Sequence, residues 1–249
     1  MPLAGTLDIS ARLADAPRMP SLSTEPWELA AAETLQLLYE IDDHNMEELL
    51  PRALNPTIPP TVFFEVMRVP ESPVGPFALA QVRIGCRAGL RPRGLLTRAY
   101  CDSQDAAAAL SDRWGYAVRP GEVRLRRLYD RVQAVVVADG RTILECDLID
   151  PVPISGFDVQ YIASVNLARV VRDGQETPRL VQVDPDYTIR RADRGQPELE
   201  IFDQSAWAAD EVDPTFPISA SFTVSDVKLP KLRYIMDPDR PALEGTEVL

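Results

Sequence analysis

The chain has 249 residues, 45% of them hydrophobic and 26% charged, the mixture of one large globular domain or two small ones. Its 38 acidic residues outnumber 26 basic ones, for a formal charge of −12. That speaks against non-specific binding to nucleic acid or to an anionic membrane, since both need a basic face.

No apolar run approaches the roughly 18 residues of a membrane-crossing helix, so no membrane span is predicted. The opening segment MPLAGTLDISARLADAP carries Asp8 and Asp15 and no apolar core, so no secretion signal is predicted either, and a cytoplasmic location is the expectation. Residues 1–25, rich in Ala, Pro and Ser, read as an extended arm ahead of a single domain over 26–249. In WELAAAETLQLLYEI the start reads as a helical turn and Thr34–Ile41 as a strand. Asp43 is a candidate cap for a short helix over NMEELLPRAL, limited by Pro51.

TVFFEVMRV is a β-branched and aromatic run between two proline-rich turns, and FALAQVRIGCRA and LLTRAYCD follow as further strands. QDAAAALSDRWG breaks the series as a compact helix with Ser103 at its N-cap and Gly115 at its end. Strands resume at VRLRRLYDR, VQAVVVAD and RTILECDLID, with Asp139-Gly140 as a hairpin turn, and continue to SASFTVSDVKL. The expected class is therefore mainly β with a few helices, in a closed or sandwiched arrangement.

Several chemistries are excluded by what is missing. Only Lys228 and Lys231 are lysines, so a lysine nucleophile must come from the last 22 residues. Cys86, Cys101 and Cys146 are odd in number and scattered, which fits free thiols better than a disulfide framework or a zinc site, and no metal is expected. His44, the one histidine, stands beside Asp42 and Asp43 and reads as a solvated turn residue before a general base. There is no phosphate-binding G-x-x-x-x-G-K-[ST], no G-x-G-x-x-G, no G-x-S-x-G and no H-E-x-x-H, and no cofactor is expected.

Over roughly Thr34–Met236 the order of motifs resembles the acetoacetate decarboxylase family. The resemblance is carried by YEIDDHNMEELLPRAL, VFFEVMRV, VGPFALAQVRI, LLTRAYCD, the Ala-rich helix with its exit WGYAVRP, and then LEIFDQ and VKLP. It implies a cone-shaped β-barrel with a central pocket, in an oligomer of identical chains. In the family a lysine attacks a β-keto acid to form a Schiff base, with a second lysine beside it to depress its pKa. Those two lysines fall on Val118 and Arg119; valine cannot form an imine and arginine stays protonated. One family acid falls on Leu79, and an upstream arginine falls near Ala32, while the glutamate of FFEVM is retained as Glu65 and the loop aromatic as Tyr116.

The resemblance thus implies the family's barrel without its Schiff-base apparatus, and a pocket floor made more apolar by Leu79 and Val118. Candidate catalytic residues are Glu65 as general acid or base, with Tyr116 and Arg119 as hydrogen-bond donors to a developing oxyanion. Arg98 is a candidate grip for a substrate carboxylate, with Gln81 and Trp114 as further binding candidates, although Glu65 and Arg98 read equally well as a plain ion pair. The expectation is an enzyme that cyclises, isomerises or dehydrates an apolar small molecule of secondary metabolism, such as a polyketide. The alternatives are a non-catalytic binding protein on the same barrel and a decarboxylase with its lysine relocated to Lys228 or Lys231.

Overall fold

The computed structural model describes residues 3–44 and 46–249. The N-terminal segment holds a one-turn helix, α1 (Ser10–Leu13), and a short strand, β1 (Arg18–Met19). Then come β2 (Trp27–Ile41), β3 (Asn55–Pro56), β4 (Thr61–Val69), β5 (Phe77–Ala88) and β6 (Arg91–Cys101). Helix α2 (Gln104–Trp114) leads into β7 (Val118–Pro120), β8 (Glu122–Arg127), β9 (Arg131–Ala138) and β10 (Arg141–Ile154). A 3-10 turn at Gly156–Asp158 precedes β11 (Ala163–Arg172), β12 (Gln175–Val183), β13 (Asp186–Phe202) and β14 (Pro214–Leu229). The chain closes with β15 (Tyr234–Met236), α3 (Ala242–Gly245) and β16 (Thr246–Val248).

All the strands belong to one sheet, whose main path runs β16-β15-β12-β11-β6-β5-β4-β2-β14-β13-β10-β9-β8, with β1 on β11, β3 on β5 and β7 on β6. The class is the mainly β one expected. The sheet curls far enough for β8 to pack against β4, β5 and β6. Inside the curl lies one apolar core that includes Phe64, Val82, Leu144 and Trp207. On the other face a second core gathers Trp27, Leu79, Leu110, Trp114 and Ile235 under α2. No helix among the described residues is long and apolar enough to cross a membrane.

Local chemistry explains where elements start and stop. Ser103 caps α2 by accepting from the Ala106 N–H at 3.3 Å, and Gly115 ends it in the left-handed region at φ 69°. Asp139 and Gly140, at φ 51° and 74°, make the hairpin turn between β9 and β10 that their sequence suggests.

Two expectations differ from the structure. Trp27–Glu33 is strand, not helical turn: it pairs with β14 along its length, and that pairing overrides the helical preference of its alanines. At Ala31 (φ 50°), whose N–H donates to Asp226 Oδ1 at 3.0 Å, the strand bulges and the pairing with β14 shifts register. The helix expected at NMEELLPRAL is absent: residues 46–49 form turns, and Asn45 lies outside the described residues. There the backbone is committed to the N-terminal segment, since the N–H groups of Gly5, Thr6 and Leu7 donate to the carbonyls of Leu54, Glu47 and Leu50. The segment expected as an extended arm is accordingly tied to the body, with Ile9, Ala16 and Met19 buried.

Candidate functional site

Alternation along β4 puts Phe63, Glu65 and Met67 on one face, and alternation along β5 puts Leu79, Gln81 and Arg83 on the same face. The register aligns Gln36, Glu65 and Gln81 in a row across β2, β4 and β5. Glu65 is 1% exposed. Its Oε2 accepts from Arg83 Nη2 at 2.6 Å and its Oε1 from Gln81 Nε2 at 2.5 Å. Arg83 Nη1 donates on to the Ile162 carbonyl at 2.8 Å. A carboxylate offers about four lone-pair sites, so each oxygen of Glu65 keeps capacity for a further proton or donor.

Glu65 accepts only, which forces the Gln81 amide nitrogen toward it and turns the Gln81 oxygen away. That oxygen, Arg83 Nε and the Ser164 hydroxyl are buried without a close hydrogen-bond partner among the described residues. All three residues line a small cavity. Its apolar wall is built from Leu29, Met67, Phe77, Leu79, Leu110 and Leu229, and Tyr116 and Tyr187 complete it. The free space is about 20 Å³, room for a single water.

Burial pushes the Tyr116 phenol pKa up, opposed by the Ser164 hydroxyl and Arg83. Burial likewise pushes Tyr187 well up, with the Glu65 charge adding to it. Tyr161 stacks on Tyr187 with ring centroids 4.2 Å apart, and its hydroxyl is 2.6 Å from Thr223 Oγ1; its pKa too is raised by burial. Phenols raised above their ordinary value near 10 stay protonated at neutral pH and serve as hydrogen-bond donors.

Segment 160–162 is tied to the same row of side chains. Arg83 holds the Ile162 carbonyl, and Gln36 Nε2 holds the Gln160 carbonyl at 3.2 Å.

Of the residues singled out in the sequence, Glu65, Leu79, Gln81 and Tyr116 meet at this cavity. Val118 packs, partly buried, on the same apolar core without lining the cavity. Trp114 is core: it is fully buried, edge-on to Trp27, and donates from Nε1 to the Pro230 carbonyl at 2.9 Å.

Arg98 and Arg119 lie elsewhere. Ala99 pairs with Gln81, so its neighbour Arg98 points through the opposite face, to the Ala206 carbonyl at 2.6 Å and Asp15 at 2.5 Å. Arg119 is half exposed and reaches the other oxygen of Asp15 at 2.7 Å. The partner of Glu65 is thus Arg83, not Arg98. Arg98 lines a separate, larger cleft of about 760 Å³ beneath the N-terminal segment, which contains none of the Glu65 cluster.

Neither lysine lines the Glu65 cavity: Lys228 and Lys231 are at least half exposed, 3.8 and 3.7 Å from Glu28 and Glu25. His44 is 88% exposed beside Asp42, and the three cysteines are free and buried. Sequence reasoning missed Arg83, Ser164, Tyr161 and Tyr187. For Arg83 a signal existed, because Leu79, Gln81 and Arg83 recur with the period of two that puts them on one face.

No curated protein sequence matches the chain. Among solved structures, the acetoacetate decarboxylase of Legionella pneumophila subsp. pneumophila str. Philadelphia 1 superposes with a TM-score of 0.74 at 19% identity, over 87% of this chain and 90% of that one. The enduracididine biosynthesis enzyme MppR, solved with pyruvate, superposes with a TM-score of 0.68 at 16% identity, over 85% of this chain and 90% of its own. An acetoacetate decarboxylase-like enzyme from Sphingomonas wittichii RW1 gives a TM-score of 0.64 at 15% identity, over 85% of this chain and 94% of its own. These likenesses show a shared fold. The sequence model of acetoacetate decarboxylase (ADC) matches residues 14–238, nearly the whole of the described body. The chain belongs to the acetoacetate decarboxylase family.

Proposed function

We propose that the chain is an enzyme that works without a Schiff base, moving a proton on an apolar, carbonyl-bearing small molecule held in the Glu65 cavity. The observation that carries this reading is the pairing of a buried carboxylate with the buried phenol of Tyr116 and the half-buried one of Tyr187, in a cavity that no lysine lines. Glu65 takes a proton from the carbon next to the carbonyl. The electron pair left behind moves onto the carbonyl oxygen, where the phenols donate hydrogen bonds to the developing charge. Return of the proton at another carbon completes an isomerisation. Loss of a β-hydroxyl that takes up the proton as water completes a dehydration. Attack of that carbon on a second carbonyl carbon of the same molecule, whose oxygen takes up the proton, is the cyclisation counterpart. Arg83 and Gln81 position the carboxylate, and the leucines around it favour an apolar substrate body.

MppR has been solved with the condensation product of pyruvate and imidazole 4-carboxaldehyde, and carbonyl chemistry on this fold supports the reading. The cavity holds one water as it stands, so a substrate gains access only when the side chains that line it move aside.

The test follows α-proton exchange of 2-heptanone in D2O by NMR. The native protein should accelerate exchange, Glu65→Gln should lose on the order of 10²-fold or more of that rate, and Tyr116→Phe should lose a smaller share. Exchange undiminished in Glu65→Gln would remove Glu65 from the chemistry. Binding of the ketone without any exchange would favour a non-catalytic binding protein.

A further inference from the structure

We infer that the cleft beneath the N-terminal segment is a second small-molecule site, separate from the Glu65 cavity, built for an amphipathic monocarboxylate. Its volume of about 760 Å³ lies within the usual range of ligand pockets, about 300–1,000 Å³. The floor is apolar, formed by Leu49, Leu95, Leu96, Leu167 and Leu180. Residues of the N-terminal segment and the turn around Ala208–Glu211 form its walls.

Two guanidinium groups, Arg12 and Arg98, line this space. The Arg12 side chain is half-buried and makes no hydrogen bond or ion pair among the described residues. Burial lowers its pKa, Asp210 opposes that, and the like charge of Arg98 lowers it further. Arg98 commits its two terminal nitrogens to Ala206 and Asp15, and its Nε has no partner among the described residues. Asp15 is shared between Arg98 and Arg119, so one carboxylate serves two cations. Arg12 is thus the guanidinium of this cleft with no carboxylate at ion-pair distance among the described residues.

The other acids that line it, Asp8, Glu48, Asp210 and Glu211, are all exposed at the mouth, where water and salt screen them. A carboxylate meets the planar donor fork of a guanidinium in two parallel hydrogen bonds. A single carboxylate on a hydrocarbon body satisfies both Arg12 and the leucine floor. Gly115 and Ala117 also line the cleft, while Tyr116 between them lines the Glu65 cavity, so the two spaces share this stretch of chain as a wall.

Calorimetric titration of the full chain with octanoate, 1-octanol and octylammonium tests the assignment, with Arg12→Gln, Arg12→Lys and Glu65→Gln as variants. Octanoate is expected to bind one to one and raise the melting temperature, with 1-octanol at least tenfold weaker and octylammonium weaker still. Arg12→Gln should weaken octanoate at least tenfold with Arg12→Lys between, and Glu65→Gln should leave it unchanged. Arg12 sits on a one-turn helix at the edge of the body, and a native circular-dichroism spectrum separates loss of binding from loss of fold. Octylammonium binding as tightly as octanoate, no octanoate binding to native protein, or binding that survives Arg12→Gln but fails in Glu65→Gln would overturn the proposal.

Discussion

Arg83 holds Glu65 at 2.6 Å from one terminal nitrogen and the Ile162 carbonyl at 2.8 Å from the other, so one buried guanidinium ties the cavity to the segment ahead of β11. Both side chains of the pair are at least 97% buried. Removing one partner of such a pair leaves the other charge buried without compensation. Glu65→Leu should therefore destabilise the protein by about 3–5 kcal/mol in urea unfolding. Adding Arg83→Met on that background should recover most of the loss, because the remaining charge is gone. Additive losses in the double variant would show that the two residues are not coupled.

Gln36 makes the second tie, to the Gln160 carbonyl at 3.2 Å. Gln36→Leu removes that donor, worth about 1 kcal/mol. The effect should be local: hydrogen exchange at residues 160–162 should quicken while the global unfolding midpoint moves little. Unchanged exchange there would mean that Gln36 does not hold this segment.

Burial raises the Asp147 carboxyl pKa, Arg131 opposes the shift, and the nearby Glu198, Glu145 and Glu200 add to it. One of its oxygens is buried without a partner. A carboxyl whose pKa is higher folded than unfolded binds its proton more tightly in the folded state. It stabilises the protein fully below the unfolded value near 3.9, and that contribution is lost as pH rises through the folded pKa. Relative to native protein, Asp147→Asn should gain stability as pH rises from about 4 to 7, so the difference in melting temperature should grow with pH. A pH-independent difference would count against a raised Asp147.

Gly115 stands at φ 69°, and a Cβ there would lie 3.0 Å from both the Ala168 Cβ and the Met19 sulfur. Gly115→Ala meets backbone strain and crowding together, for a loss of about 1–2 kcal/mol from the backbone alone. Because Tyr116 follows directly, the same variant should also slow ketone exchange. Native stability in Gly115→Ala would show that the helix end tolerates a side chain.

Local signals read well in this sequence: Ser103 and Gly115 mark both ends of α2, and Asp139-Gly140 marks its hairpin, because capping and turn chemistry act within a few residues. That Glu65, Leu79, Gln81 and Tyr116 share one cavity was legible because two are neighbours on the face of one strand and all four fall in the family's motifs. Arg98 was not separable from them. Its side is set by pairing with β5, where Ala99 opposes Gln81, and by a bulge that brings Leu96 opposite Arg83. Parity across a bulge cannot be counted from one strand alone. Tyr161 and Tyr187 come from segments some 100 residues beyond Glu65, and only the folded sheet brings them to it.

The central claim is that the cavity works without an imine. Sodium borohydride added during incubation with acetoacetate or pyruvate, followed by intact-mass analysis, tests it most directly. The account expects the mass of the native chain to stay unchanged, since both lysines face solvent beside Glu25 and Glu28. A reduced adduct mapped to Lys228 or Lys231 would contradict it.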